Sequence, residues 1–236
     1  MIKKQKRYHF LNRLWDKESG LSGMLLILFV MHFVLIPVFG SYSFFMVVLN
    51  IFWMLFLMAG IFTLSNDRKQ AIIISIVPFL FIVFSWIVGL YPSIFTVAID
   101  LILSVGTFLL LIVLVLLKVF EPGPITLHRV IGSIVVYMLL ANLFAIIFLF
   151  FYEYVDGSFQ ITLPAFESNS LDANFMYFSY ITITTTGFGE IVPLHPIARS
   201  LVQVEAIIGV LYPVILIGRL VSDASETKQQ KKISLK

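Results

Sequence analysis

The sequence predicts an all-α membrane protein with six transmembrane helices and a re-entrant half-helix between the fifth and the sixth. Three observations predict it. Of the 236 residues, 60% are hydrophobic and only 12% are charged, and the mean hydropathy is +1.01, a balance that soluble globular domains do not carry. Apolar stretches of spanning length recur along the chain, and the basic residues gather at alternate ends of them. Between the last two long stretches lies an apolar run too short to cross, followed by a polar, glycine-punctuated segment.

A bilayer core roughly 30 Å thick needs about 20 apolar residues of helix. The stretches that meet this are Leu21–Phe39, Tyr42–Leu64, Ala71–Leu90, Ser93–Leu117, Val130–Tyr152 and Ile197–Val221. Gly40-Ser41 and Tyr91-Pro92 are short connections, so the helices they join are antiparallel hairpins. Five segments follow: a basic N-terminal arm (1–20), a four-helix membrane domain (21–117), a linker (118–129), a pore-forming part (130–221) and a short polar tail (222–236). The first apolar run is longer than the core of a secretory signal and has no small-residue cleavage site after it, which argues against a cleaved leader.

Orientation comes from the basic residues. With the N-terminus cytoplasmic, Lys3, Lys4, Lys6, Arg7, Arg13 and Lys17 lie inside. So do Arg68, Lys69, Lys118, Arg129, Arg219 and the tail lysines, which leaves Arg199 alone outside. The expected location is the cell membrane, multi-pass, with both termini cytoplasmic. The net charge of +3 is explained by this asymmetry and not by a nucleic-acid partner, while the basic arm suits anionic lipid. The absence of cysteine excludes disulfides and thiolate metal sites.

Leu171–Ile183 reads as the re-entrant half-helix. It ends at Thr184-Thr185-Thr186-Gly187-Phe188-Gly189-Glu190. A dehydrated monovalent cation is held by backbone carbonyls pointing into a narrow pore, which requires residues of alternating backbone handedness. Gly187 and Gly189 stand where the left-handed conformation is expected, and the Thr185 hydroxyl adds an oxygen at the inner end. The half-helix aims its partly negative C-terminus at the same point, favouring a cation. The bland alternative is a polar hairpin turn inside a membrane bundle. The outer loop carries Glu153, Asp156, Glu167, Asp172 and Glu190, an acidic mouth that concentrates cations.

With half-helix, filter and last span in view, the chain resembles the bacterial potassium channel family, the superfamily of ion channels with a two-helix pore. The resemblance rests on Leu127-His128-Arg129-Val130-Ile131-Gly132, Tyr177-Phe178-Ser179-Tyr180-Ile181-Thr182-Ile183-Thr184-Thr185, Ala198-Arg199-Ser200-Leu201 and Leu216-Ile217-Gly218-Arg219-Leu220-Val221. It implies that Thr185, Thr186, Gly187, Phe188 and Gly189 are the selectivity filter and bind K+, in place of the family's T-V-G-Y-G. Phe188 replaces the usual tyrosine, Thr186 an aliphatic residue, Glu190 an aspartate, and Tyr177 a pore-helix tryptophan. Thr184, Glu190, Tyr177 and Glu205 are expected to support the filter, with the Tyr177 hydroxyl on Glu190. The resemblance further implies four chains around one axis, a homotetramer.

Glu205 is an ionisable residue within the last span, where exposure to lipid costs roughly 2.5 kcal/mol or more. It is expected behind the filter, near Ser179 or Thr182, the alternative being a residue snorkelling to the outer interface. Gly209, Pro213 and Gly218 on the same span are either an inner-helix hinge and gate or close packing against the fifth span. Asp100 is read as an interfacial acid near Tyr91-Pro92. The fourth span, Ser93–Leu117, has no basic residue, so the voltage sensor that six spans suggest is missing. His9, His32, His128 and His195 have no metal-ligand spacing.

The expected function is passive, potassium-selective conduction through a tetrameric pore, without voltage-sensor gating, enzymatic turnover or cofactor; the only metal is the permeant K+. Gating is left to the filter, to the Gly209/Pro213 bend or to a separate regulatory subunit. Three rival readings are a weakly selective monovalent cation channel, suggested by Thr186; a proton-coupled membrane transporter or membrane enzyme using Glu205 and Asp100; and a structural or regulatory subunit whose filter is vestigial.

Overall fold

The computed structural model describes residues 19–35, 93–120, 126–162 and 171–234, with isolated positions (76, 78–81, 83–85, 88 and 91) between the first two segments. Residues 1–18 of the basic arm, the expected span Tyr42–Leu64, most of Ala71–Leu90 and Glu167 lie outside the described residues. The described chain is helical apart from one small sheet: α1 (Ser19–Val30, running on into a π-helical turn Met31–Leu35), α2 (Ile94–Val119), α3 (Leu127–Tyr154), β1 (Phe159–Ile161), α4 (Leu171–Ile183), β2 (Ile191–Pro193) and α5 (Pro196–Ser234). Among the described residues, three helical stretches are long and apolar enough to cross a membrane: Ile94–Val119, Arg129–Tyr154 and Pro196–Arg219.

α2 starts where Ser93 closes a capping box with Thr96, each side chain accepting from the other's backbone N–H. Two orphan donors of the first turn are thereby satisfied, which fixes the start of the helix after Tyr91-Pro92. One face of α2, with Phe108, Leu111, Ile112, Val115 and Val119, packs on Val135, Val136, Met138 and Leu139 of α3, and Leu28 of α1 joins the same core. α3 is thus the central post of the described structure.

A second core is aromatic. Phe148 of α3 meets Phe159 of β1 and Phe178 of α4 edge-on at 5.7 and 5.3 Å between ring centres. Phe175 packs edge-on against Phe159 at 5.3 Å and touches Tyr152 at 5.1 Å. Such pairs contribute about 0.5–1.5 kcal/mol each beyond their buried area. Rigid rings at five positions fix the direction of α4 along α3.

The structure departs from an all-α reading in one place, and three helices run past the spans expected for them. The fold is not purely helical, because β1 and β2 pair antiparallel, Ile161 opposite Ile191 and Phe159 opposite Pro193, inside what reads as outer loop. The last helix does not stop at Val221 but continues to Ser234; residues 222–234 contain neither glycine nor proline, so nothing ends the helix when the apolar pattern ends. The linker shortens accordingly at both sides, since α2 reaches Val119 and α3 starts at Leu127.

Candidate functional site

α4 descends along α3 from Tyr152, which touches Phe175 near its start, to Tyr137, which bonds Ile183 at its end. Thirteen residues of helix cover about 20 Å at 1.5 Å each. The chain then reverses, and seven residues later it enters β2 beside β1. The segment 184–190 is therefore the returning arm of a hairpin whose descending arm is α4.

A helix leaves its last four carbonyls without intrahelical partners. In α4 each finds one. Tyr180 O accepts from Thr184 N at 3.2 Å and Thr184 Oγ1 at 2.7 Å, and Ile181 O from Thr186 N at 2.8 Å and Gly187 N at 3.1 Å. Thr182 O accepts from Thr185 N at 2.8 Å. The fourth, Ile183 O, accepts from Tyr137 Oη of α3 at 2.8 Å. The returning arm is thus folded tightly onto the helix end it leaves.

Along that arm the backbone alternates in hand: φ is +58° at Thr185, +52° at Gly187 and +91° at Gly189, and these are the left-handed residues between 184 and 190. Glycine takes this conformation freely, whereas a β-branched threonine there is an outlier held by its surroundings. The two glycines stand as the sequence suggests; the left-handed Thr185 is not legible in it. Residues 184–189 are all exposed in the single chain, Phe188 at 68%. Thr184 Oγ1 gives its proton to Tyr180 O, so across their 3.0 Å contact it accepts from Thr186 Oγ1.

The outer end of the arm is tied down. Tyr177 Oη donates to Glu190 Oε1 at 3.1 Å, the contact expected from the sequence. Glu190 O accepts from Thr162 N at 2.8 Å and Thr162 Oγ1 at 3.0 Å, one step beyond the strand pairing. Buried Ser158 anchors the sheet from below: its carbonyl accepts from Leu194 N and His195 N, and its hydroxyl donates to Phe151 O at 2.7 Å. Arg199 Nε donates to Pro193 O at 3.1 Å, and His195 Nδ1 accepts from Ile197 N at 3.3 Å at the start of α5.

Behind the arm, Glu205 of α5 is fully buried and hydrogen-bonded to Ser179 Oγ, which also contacts Ala141 O of α3 at 2.6 Å. Of the two placements the sequence allows, this is the one behind the returning arm, and snorkelling does not fit. Glu205 Oε2 has no hydrogen-bond partner among the described residues. Asp100 is half-buried on α2.

The expectations for α5 divide. Gly209 is buried, and a Cβ there would stand 1.9 Å from Ile183 O and 2.8 Å from Ile183 C. Its small size serves a close approach, made not to the fifth span but to the end of α4. α5 runs helically through Pro213, and a Cβ at Gly218 would meet nothing within 4 Å. The sequence reading passes over Tyr137, which joins the site through Ile183 O, and over Ser133 and Tyr212, which tie α3 to α5 beside it. Tyr212 Oη donates to Ser133 O at 2.9 Å, and its ring stacks on that of Tyr137 at 6.1 Å. Tyrosines on two apolar helices were a legible signal, since a buried hydroxyl must find an acceptor.

Among known protein families, residues 136–226 match the family model described as an ion channel. The match runs from residue 136 of α3 to residue 226 of α5 and includes Tyr137, all of α4, the segment 184–190, Glu205, Gly209 and Tyr212. Neither a curated protein nor a solved structure matches the chain.

Proposed function

We propose that residues 136–226, which match the ion-channel family model, are the pore region of a channel of the potassium channel-like superfamily, and that the protein conducts K+ passively and selectively. Four copies surround one axis, and each contributes Thr185, Thr186, Gly187, Phe188 and Gly189 to the filter. The observation that carries this reading is the alternating backbone hand at 185, 187 and 189. Alternation lets successive carbonyls point to one side, where together they replace the hydration shell of an ion. One strand of carbonyls cannot enclose a cation, and the exposure of residues 184–189 in the single chain suits a surface that three further copies complete.

In this reading α4 is the re-entrant pore helix, α3 the outer helix and α5 the inner helix. The chain crosses the membrane six times with both termini cytoplasmic, and the basic N-terminal arm lies on anionic lipid. Glu190, held by Tyr177 and Thr162, braces the outer end of the filter, and Glu205 with Ser179 and Thr184 supports its back. Conduction needs no bound cofactor. Without basic residues in α2 before Lys118, voltage does not act through that helix.

The test is K+ flux from liposomes holding the purified full chain, beside Gly187→Ala. Wild type passes K+ and the variant does not, because alanine at φ +52° costs about 1–2 kcal/mol and turns the carbonyl away. A well-folded wild type without flux overturns the reading. The hydroxyl of Thr186, exposed where the resemblance has an aliphatic residue, favours a second reading, a weakly selective monovalent cation channel. Reversal potentials in mixed Na+ and K+ separate the two.

A further inference from the structure

We infer that Tyr137 of the outer helix is a positioning residue for ion selection, holding the inner entrance of the filter through the Ile183 carbonyl. The inference rests on the proposed channel reading and names a residue which that reading does not use. Three of the last four carbonyls of α4 are closed by the filter's own backbone; Ile183 O is closed from outside, by Tyr137 Oη at 2.8 Å. Ile183 is fully buried, and Gly209 lies so close on α5 that a Cβ would come within 1.9 Å of the same oxygen. With Gly209 packed so closely, water has little room to replace the tyrosine on that side. The Ile183 peptide is also the covalent lead into Thr184 and Thr185. Its plane is set between a donor on the outer helix and a backbone contact on the inner helix, so both helices fix where the first filter oxygens stand.

Removing the hydroxyl leaves a buried carbonyl unsatisfied. It relaxes by rotating its peptide plane, and the rotation passes directly to Thr184. Tyr212 supplies an internal control. It stacks on Tyr137 and donates to Ser133 O, a carbonyl of α3 away from the filter.

The experiment measures reversal potentials under opposed K+ and Na+ gradients for liposomes holding wild type, Tyr137→Phe or Tyr212→Phe. Tyr137→Phe lowers the K+ to Na+ permeability ratio roughly three- to tenfold, while Tyr212→Phe leaves the ratio at the wild-type value even where it lowers thermal stability. A merely structural role reduces the number of working channels without moving a reversal potential. An unchanged ratio in Tyr137→Phe, or equal shifts in both variants, overturns the inference and leaves the channel reading intact. Folded Tyr137→Phe protein without flux also overturns the inference, since it shows a loss of working channels and not of ion selection. A wild type that passes no K+, or does not distinguish it from Na+, fails the function reading instead.

Discussion

Replacing Gly209 by alanine separates the two roles that its position on α5 allows. The added Cβ would stand 1.9 Å from Ile183 O, 2.8 Å from Ile183 C and 3.0 Å from its Cα. Carbon contacts are comfortable at about 3.5–4.0 Å, so α5 and the end of α4 must separate by more than an ångström. The obstacle is backbone, which cannot swing aside as a flexible side chain would. Overpacking of this kind costs about 1–3 kcal/mol, and the backbone contact puts this site toward the upper end. Alanine is also about 1 kcal/mol better than glycine within a helix, which leaves a net loss of about 1–2 kcal/mol. A glycine that serves only as a hinge predicts the opposite sign, since alanine would then stiffen and stabilise the helix. Thermal unfolding of the detergent-solubilised full chain reads the sign directly, and liposome K+ flux reads the effect at the entrance of the proposed filter. A Gly209→Ala protein with a raised midpoint and unaltered flux refutes the close-approach argument.

Two further substitutions test the arm and its support. Thr185→Gly relieves a β-branched residue at φ +58° and is expected to raise stability by about 1 kcal/mol, yet it removes an oxygen from the inner end of the filter and weakens K+ selectivity; unfolding midpoints and reversal potentials must therefore move in opposite senses. Ser179→Ala takes away the hydrogen-bond partner of fully buried Glu205 and is expected to cost about 1–3 kcal/mol of stability. Glu205→Gln, which keeps a polar group against Ser179, is milder in the same unfolding assay, and a Ser179→Ala protein as stable as wild type would show that the contact contributes nothing.

Much of the site is legible in the chain because its parts follow local rules. The half-helix is an apolar run bounded by polar segments, and its observed limits, Leu171–Ile183, are those the pattern predicts. Gly187 and Gly189 announce left-handed backbone, since glycine takes it at no steric cost. Thr185 gives no such signal; its hand is set by the hydrogen bonds that fold 184–187 back onto α4. The β1–β2 pairing is equally silent, because two three-residue strands separated by the whole of α4 carry too little alternation to stand out. The tail misleads for a related reason: its polarity marks where the membrane pattern ends, not where the helix ends.

The sequence by itself determined that this is a membrane protein, where the polar, glycine-marked arm lies and which end of the last long helices is acidic. These follow from transfer free energies and from intrinsic backbone preferences, properties that each residue carries wherever it is placed. Only the tertiary structure decided that Glu205 is buried against Ser179, that Gly209 meets Ile183 rather than α3, and that Tyr137 closes the last carbonyl of α4. Each of these joins residues 26 or more positions apart. A buried polar group or a missing side chain gives notice that something must meet it, but the packing of three helices selects what does.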